Sequence, residues 1–208
     1  MGGGVVTSNS AAFDRLDWDK QGGLLPAIVQ DADSLRVLML GWMDRAAFAA
    51  TRDTGKVTFF SRSRQRLWTK GETSGHVLEL VALESDCDGD TLLVLARPRG
   101  PTCHLQRPSC FPSAPADFIA ELDRLIATRE CERPGGSYTT ALFEAGTARI
   151  AQKVGEEGVE TAIAAVTEDD AAFAGEAADL LFHLLVLLRA RGLSLADVAR
   201  ELEARHRR

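Results

Sequence analysis

The chain has 208 residues, enough for one large domain or two of about 100 residues each with its own core. Its 45% hydrophobic and 26% charged content is ordinary for a soluble globular protein. The formal charge of −6 falls wholly in the second half: residues 1–112 carry 13 Lys+Arg against 13 Asp+Glu, and residues 113–208 carry 11 against 17. That balance argues against a nucleic-acid surface there and suits a site that gathers cations.

The start, Met1 to Ser10, is Gly- and Ser-rich with no basic end and no apolar run. It is not a readable signal peptide, and roughly the first 12 residues read as flexible. Four short apolar runs follow: LRVLML at 35–40, KVTFF at 56–60, HVLELVAL at 76–83 and TLLVLA at 91–96. Their length and large or β-branched residues predict strands. Between the first two, DRAAFAATRDTG predicts a helix with Asp44 as N-cap and Gly55 as the stop. After SCFPSAPA the spacing is helical throughout: 117–130, 137–146, 147–166, 168–192 and 194–206, with Gly or Pro at the joints. Ser194 and Asp197 resemble a capping box for the last of these.

The two halves therefore separate into a β-rich domain over 1–112, expected as a barrel-like mixed sheet with a helix, and an all-α helical bundle over 118–208, with 113–117, which follows Pro112 and contains Pro115, as linker. The most apolar stretch, LLFHLLVLL at 180–188, is nine residues long. A bilayer takes about 20, so no membrane span is expected, and the chain reads as cytoplasmic. In that compartment the four cysteines are more consistent with thiols or metal ligands than with disulfides.

SDCDGD, at 85–90, places Asp86, Asp88 and Asp90 in alternation with Cys87 and Gly89. In extended backbone the three carboxylates would face one way and the thiol the other, offering hard ligands for Mg²⁺ and a soft one for Zn²⁺. An ordinary acidic turn is the alternative. An EF-hand is excluded, because its sixth and twelfth positions would be Thr91 and Arg97. GPTCHLQRPSC, at 100–110, adds Cys103, Cys110 and His104. Three thiols suit a zinc site with an open fourth position, and a neighbouring imidazole suits proton transfer. Reduced, partly buried thiols and a surface histidine are the bland reading. In SRSRQRLWTKGETSGH, at 61–76, Arg62, Arg64, Arg66 and Lys70 with Gly71, Ser74 and Gly75 suit phosphate binding or form a solvated basic loop.

Taken together, FFSRSRQRLWTKGETSGH, DCDGDTLLVLARPRGPTCH and SCF closely resemble phosphoribosyl-AMP cyclohydrolase of histidine biosynthesis over about residues 14–112. The resemblance implies zinc on Cys87, Cys103 and Cys110, one ion per chain, and magnesium on Asp86, Asp88 and Asp90. It also implies an obligate homodimer that draws the zinc ligands from both chains. Zinc-activated water would attack C6 of the purine and open the N1–C6 bond, with His104 moving the proton. Arg62, Arg64, Lys70, Glu72, Ser74 and His76 would hold the substrate.

In the helical half, KVGEEGVETA carries Glu156, Glu157 and Glu160, and GEAADLLFH carries Glu176 and Asp179. Residues three or four apart share a helix face, so these carboxylates converge, and a cation offsets their repulsion. A solvated acidic face is the alternative, but the helices that carry them are the most apolar of the chain. Glu-Glu-x-x-Glu followed by Glu-x-x-Asp resembles the all-α nucleotide pyrophosphohydrolases. GSYTTALFEAGTARIAQKVGEEGVETAIAA narrows the resemblance to phosphoribosyl-ATP pyrophosphatase, over about 118–208. That family would place Mg²⁺ on the five carboxylates, with Glu157 and Glu160 in catalysis, Lys153 on substrate phosphate and an ATP-derived nucleotide as substrate. His183 reads as a hydrogen-bonded helix histidine, and Cys131 and His206 have no partner pattern. The combined expectation is a bifunctional hydrolase acting on small nucleotides, without nucleic-acid or membrane partners. Its rivals are a general nucleotide pyrophosphohydrolase with a structural-zinc domain, and a metal-responsive dimerisation module.

Overall fold

The computed structural model describes residues 15–206, so the expectation for the first dozen residues lies outside it. The chain divides into two compact units at Asp117 and Phe118.

The first unit holds six strands: β1 Leu25–Asp31, β2 Val37–Met43, β3 Thr58–Ser61, β4 Arg66–Thr69, β5 Leu78–Ser85 and β6 Leu92–Pro98. Helix α1, Arg45–Thr54, follows β2. Asp44 caps it by accepting the Ala47 N–H, and Gly55 ends it in the left-handed conformation that glycine adopts without steric cost. Four strands form a mixed sheet in the order β2-β1-β6-β5, and β3 and β4 form a separate antiparallel ribbon. Alternate residues of β1 (Leu25, Ala27, Val29) are fully buried in a core with Leu78, Leu92, Val94 and Ala96. Burying a leucine of this kind contributes about 1.5–3 kcal/mol.

Two strands differ from the sequence expectation. β1 is central, antiparallel to β2 and parallel to β6, yet LPAIVQD does not read as a strand. Pro26 and Ala27 are poor strand formers; burial on the inner face outweighs that propensity. β4 lies inside the stretch expected to be a basic loop. Trp68 pairs with Phe59, and the two rings pack at a 30° tilt with centroids 5.6 Å apart, a cross-strand contact that supports the ribbon register.

SDCDGD is a correction to the extended reading. β5 ends at Ser85, and residues 87–90 form a turn. Asp86 accepts the N–H groups of Asp90 and Thr91, so its side chain closes the turn rather than pointing along a strand. Gly89 has φ of +75°, and a Cβ there would lie 2.5 Å from the Arg15 carbonyl oxygen. Only glycine suits both requirements.

The second unit is all-helical: α2 Phe118–Glu132, α3 Tyr138–Ala145, α4 Thr147–Thr167, α5 Asp170–Ala190 and α6 Leu195–His206. Ser137 caps α3 and Asp169 caps α5. At α6 the Ser194 N–H and hydroxyl both donate to the Asp197 carboxylate. α4 and α5 pack against each other, and Ile126, Leu142, Phe143, Ile150, Leu185 and Val186 form the core. Arg189 grips Asp123 through two hydrogen bonds that join α5 to α2.

α5 is longer than the nine-residue apolar stretch within it. Its 21 residues reach a mean hydropathy of 1.7 over an 18-residue window, which is long and apolar enough to cross a membrane by length and composition. In this unit it carries Glu176, Asp179 and His183, whose polar groups face partners on α4 and α3.

Candidate active sites

In the strand-rich unit, the β5–β6 turn brings one carboxylate oxygen each from Asp86, Asp88 and Asp90 within 4.8 Å of one another. Convergence comes from the turn, not from strand alternation. Hard oxygen donors at this spacing fit a small divalent cation. A residue that the spacing did not suggest also stands there. The Lys20 ammonium lies 2.6 Å from Asp88 and 2.5 Å from Asp90. Its hydrogen bonds to Asp88 and then Asp90 raise the lysine above its ordinary range, and the same contact lowers Asp90.

The loop after β6 returns to β2. Cys110 donates its N–H to the Leu38 carbonyl, and the Ser109 hydroxyl donates to Val37. Cys103 is buried and Cys110 exposed. Although the residue is exposed overall, partial desolvation of its sulfur first, and the neighbouring Cys103 thiol second, push the Cys110 thiol up in pKa; the Lys70 ammonium opposes them. Cys103 and Cys110 are thus close enough to feel each other. Cys87 does not join them: among the described residues, no group of three converging metal-ligating side chains includes a cysteine. His104 is exposed, with Nδ1 4.0 Å from the Cys103 sulfur.

The basic segment splits in two. Arg62 lies 4.5 Å over the Trp42 ring, and Arg64 stands exposed at the tip of the β3–β4 turn. Glu72 accepts the Thr69 N–H and pairs with Arg66, and Ser74 accepts the His76 N–H. His76 packs on Gly100, where a Cβ would fall 2.7 Å from its ring.

In the helical unit, Glu157 on α4 and Glu176 and Asp179 on α5 bring carboxylate oxygens within 4.8 Å of one another. Glu157 is buried. Lys153, one turn before it, lies 2.7 Å away and is the main reason its pKa is lowered. Glu160, though exposed, is raised instead, by partial desolvation first and then by the Glu157 charge, with Glu176 contributing. It therefore borders the trio. Glu156 does not converge with it. Its carboxylate is held by Lys153 at 3.0 Å, by Gln152 and by Arg149. The one-residue step from Glu157 turns it about 100° around the helix.

His183 is a helix histidine that also touches this group. Nδ1 lies 2.9 Å from the Asp179 carbonyl oxygen, which can only accept, so the proton belongs on Nδ1. Nε2 lies 3.0 Å from the Tyr138 hydroxyl on α3. No spacing rule connects Tyr138 to His183, 45 residues later on α5.

A family model described as phosphoribosyl-AMP cyclohydrolase matches residues 39–112, and one described as phosphoribosyl-ATP pyrophosphohydrolase matches residues 119–206. The chain is 67% identical over 205 residues to the histidine biosynthesis bifunctional protein HisIE of Xanthomonas campestris pv. campestris, covering 99% of this chain and 100% of that protein. It is 67% identical over 200 residues to the protein of the same description in Xylella fastidiosa, covering 96% and 97%. Identity to the one from Shewanella oneidensis is 56% over 203 residues, covering 97% and 96%.

Proposed function

Because the chain belongs to the family of histidine biosynthesis bifunctional proteins, we propose that its two units act on successive substrates, phosphoribosyl-ATP and then phosphoribosyl-AMP. It is a hydrolase with both activities of that family, a phosphoribosyl-ATP pyrophosphohydrolase and a phosphoribosyl-AMP cyclohydrolase. The observation that carries the assignment is the presence, in one chain, of both family regions with a convergent carboxylate trio in each.

In the helical unit, water cleaves between the α and β phosphates and pyrophosphate leaves. Glu157, Glu176 and Asp179 would hold magnesium through their hard oxygens, and its charge would offset that of the triphosphate. Glu160, with its raised pKa, stands beside them in position to take the proton of the attacking water. Lys153 keeps Glu157 ionised and balances phosphate charge.

In the strand-rich unit, the water oxygen bonds to C6 of the purine, the N1–C6 bond breaks, and N1 takes a proton. Cys103 and Cys110 would offer two zinc ligands in one chain, and Cys87 of a second copy would complete the set in a homodimer. Bound zinc supplies Lewis acidity that makes water nucleophilic near neutral pH. His104, beside Cys103, moves the proton. Asp86, Asp88 and Asp90 would hold magnesium, and Arg62, Arg64 and Lys70 would attract substrate phosphate. Enzymes of this kind work on soluble metabolites, which agrees with a cytoplasmic place.

Purified chain supplied with phosphoribosyl-ATP and both metals tests the reading. Pyrophosphate and the ring-opened product are expected in sequence. Pyrophosphate from many nucleoside triphosphates, with no ring opening, would overturn it.

A further inference from the structure

Lys20 comes from a segment 68 residues before the aspartates that it touches. That segment also precedes the residues matched by the cyclohydrolase family model, 39–112. Three attachments hold it over the β5–β6 turn. The Asp17 N–H donates to the Gly89 carbonyl at 2.8 Å. The space where a Gly89 Cβ would stand is filled by the Arg15 carbonyl. Leu16 and Trp18 are buried in the core, with the Trp18 ring 6.0 Å from Phe48. Lys20 itself is braced from below, its N–H donating to Asp17. Its side chain remains 45% exposed.

We propose that Lys20 is a positioning residue that competes with a divalent cation for Asp88 and Asp90, coupling cation loading of the turn to the segment Arg15–Gly23. The inference rests on Asp86, Asp88 and Asp90 being a magnesium group. The ammonium makes its contacts with the carboxylates that the cation requires. Magnesium takes oxygens at about 2.0–2.1 Å, and it would draw on the same carboxylates as the ammonium while repelling its like charge, so loading by one disfavours the other. A lysine suits such exchange. Its charge is a compact point on a flexible four-carbon stem that is readily hydrated when released. The buried Leu16 and Trp18 keep its backbone in place meanwhile, so the ammonium stays at high local concentration. It gathers carboxylates that would otherwise repel, and it sets a threshold that the divalent ion must exceed.

The test is Mn²⁺ titration of the full chain, followed by electron paramagnetic resonance, in a Glu157→Gln/Glu176→Gln background that silences the helical group. Lys20→Met and Lys20→Gln should each bind Mn²⁺ about three- to tenfold more tightly, the range of one to two partly exposed ion pairs, and Lys20→Arg should stay near the parent. A merely structural role predicts the opposite sign, because a loosened turn binds more weakly. Unchanged or weaker binding in Lys20→Met and Lys20→Gln overturns the inference. Asp88→Asn/Asp90→Asn is the separate control. If it binds Mn²⁺ as the parent does, the magnesium reading of the turn fails and the inference falls with it.

Discussion

His183 Nδ1 lies 3.6 Å from a carboxylate oxygen of Glu157, and both side chains are almost wholly buried. A buried carboxylate needs compensation. Lys153 provides most of it at 2.7 Å, and the imidazole adds a smaller share. This places the ionised Glu157 at the centre of the helical site, with a cation on one side and a tyrosine-backed histidine on the other.

A pH dependence follows from that arrangement. Glu157 and Glu156 are both lowered, chiefly by Lys153. Such carboxylates contribute stability above their unfolded pKa of about 4.3, and the contribution is lost as pH falls through their folded values. Lys153 is raised, so its share is present below an unfolded pKa of about 10.4 and is lost as pH rises through the folded value. Urea midpoints of the full chain should therefore fall on acidification below about pH 4.3. Lys153→Met should be less stable at pH 7 and show a shallower acid decline. An unchanged acid slope would remove Lys153 as the partner.

Cys110→Ala tests the thiol pair. Changing an outer partner of a metal ligand costs about 10- to 100-fold, and removal of a ligand costs more. Ring opening of phosphoribosyl-AMP should drop by at least about 100-fold together with bound zinc, while pyrophosphate release stays within a few-fold. Zinc content by atomic emission and the two assays check it. Full ring opening without zinc would dismiss the thiol assignment.

Glu160→Gln keeps size and removes the charge that borders the carboxylate trio. Loss of a group that transfers a proton costs about 10² to 10⁴ in rate. Pyrophosphate release should fall by about that range, with ring opening of supplied phosphoribosyl-AMP within a few-fold of the parent. Equal loss of both activities in a folded protein would mean that the two sites are not independent.

Cleavage between Asp117 and Phe118 tests the division into units. Each unit has its own buried cluster and its own carboxylate group. Two separately folding fragments are expected, one opening the ring and one releasing pyrophosphate. Circular dichroism melts and the two assays decide it; a pair of fragments that stay unfolded even when mixed would contradict it.

The sequence by itself determined what local chemistry can carry. Asp44 and Gly55 bound α1 because a cap and a left-handed stop act within one turn of the helix that they close. Helical period placed Glu157 with Glu160, and the change from short apolar runs to helical spacing separated a β-rich half from an all-α half. Tertiary structure decided whatever depends on partners distant in the chain. β1 is a strand because β2 and β6 flank it, although Pro26 and Ala27 argue locally against it. Asp86 closes a turn on Thr91 where alternation suggested extension. Glu157 joins Glu176 and Asp179 while Glu156 turns to Gln152 and Arg149, a choice set by which face of α4 meets α5. Lys20 reaches Asp88, and Tyr138 reaches His183, across 68 and 45 residues. No periodicity spans such distances. Burial of Leu16 and Trp18 in one unit, and the packing of α3 on α5 in the other, bring those groups together.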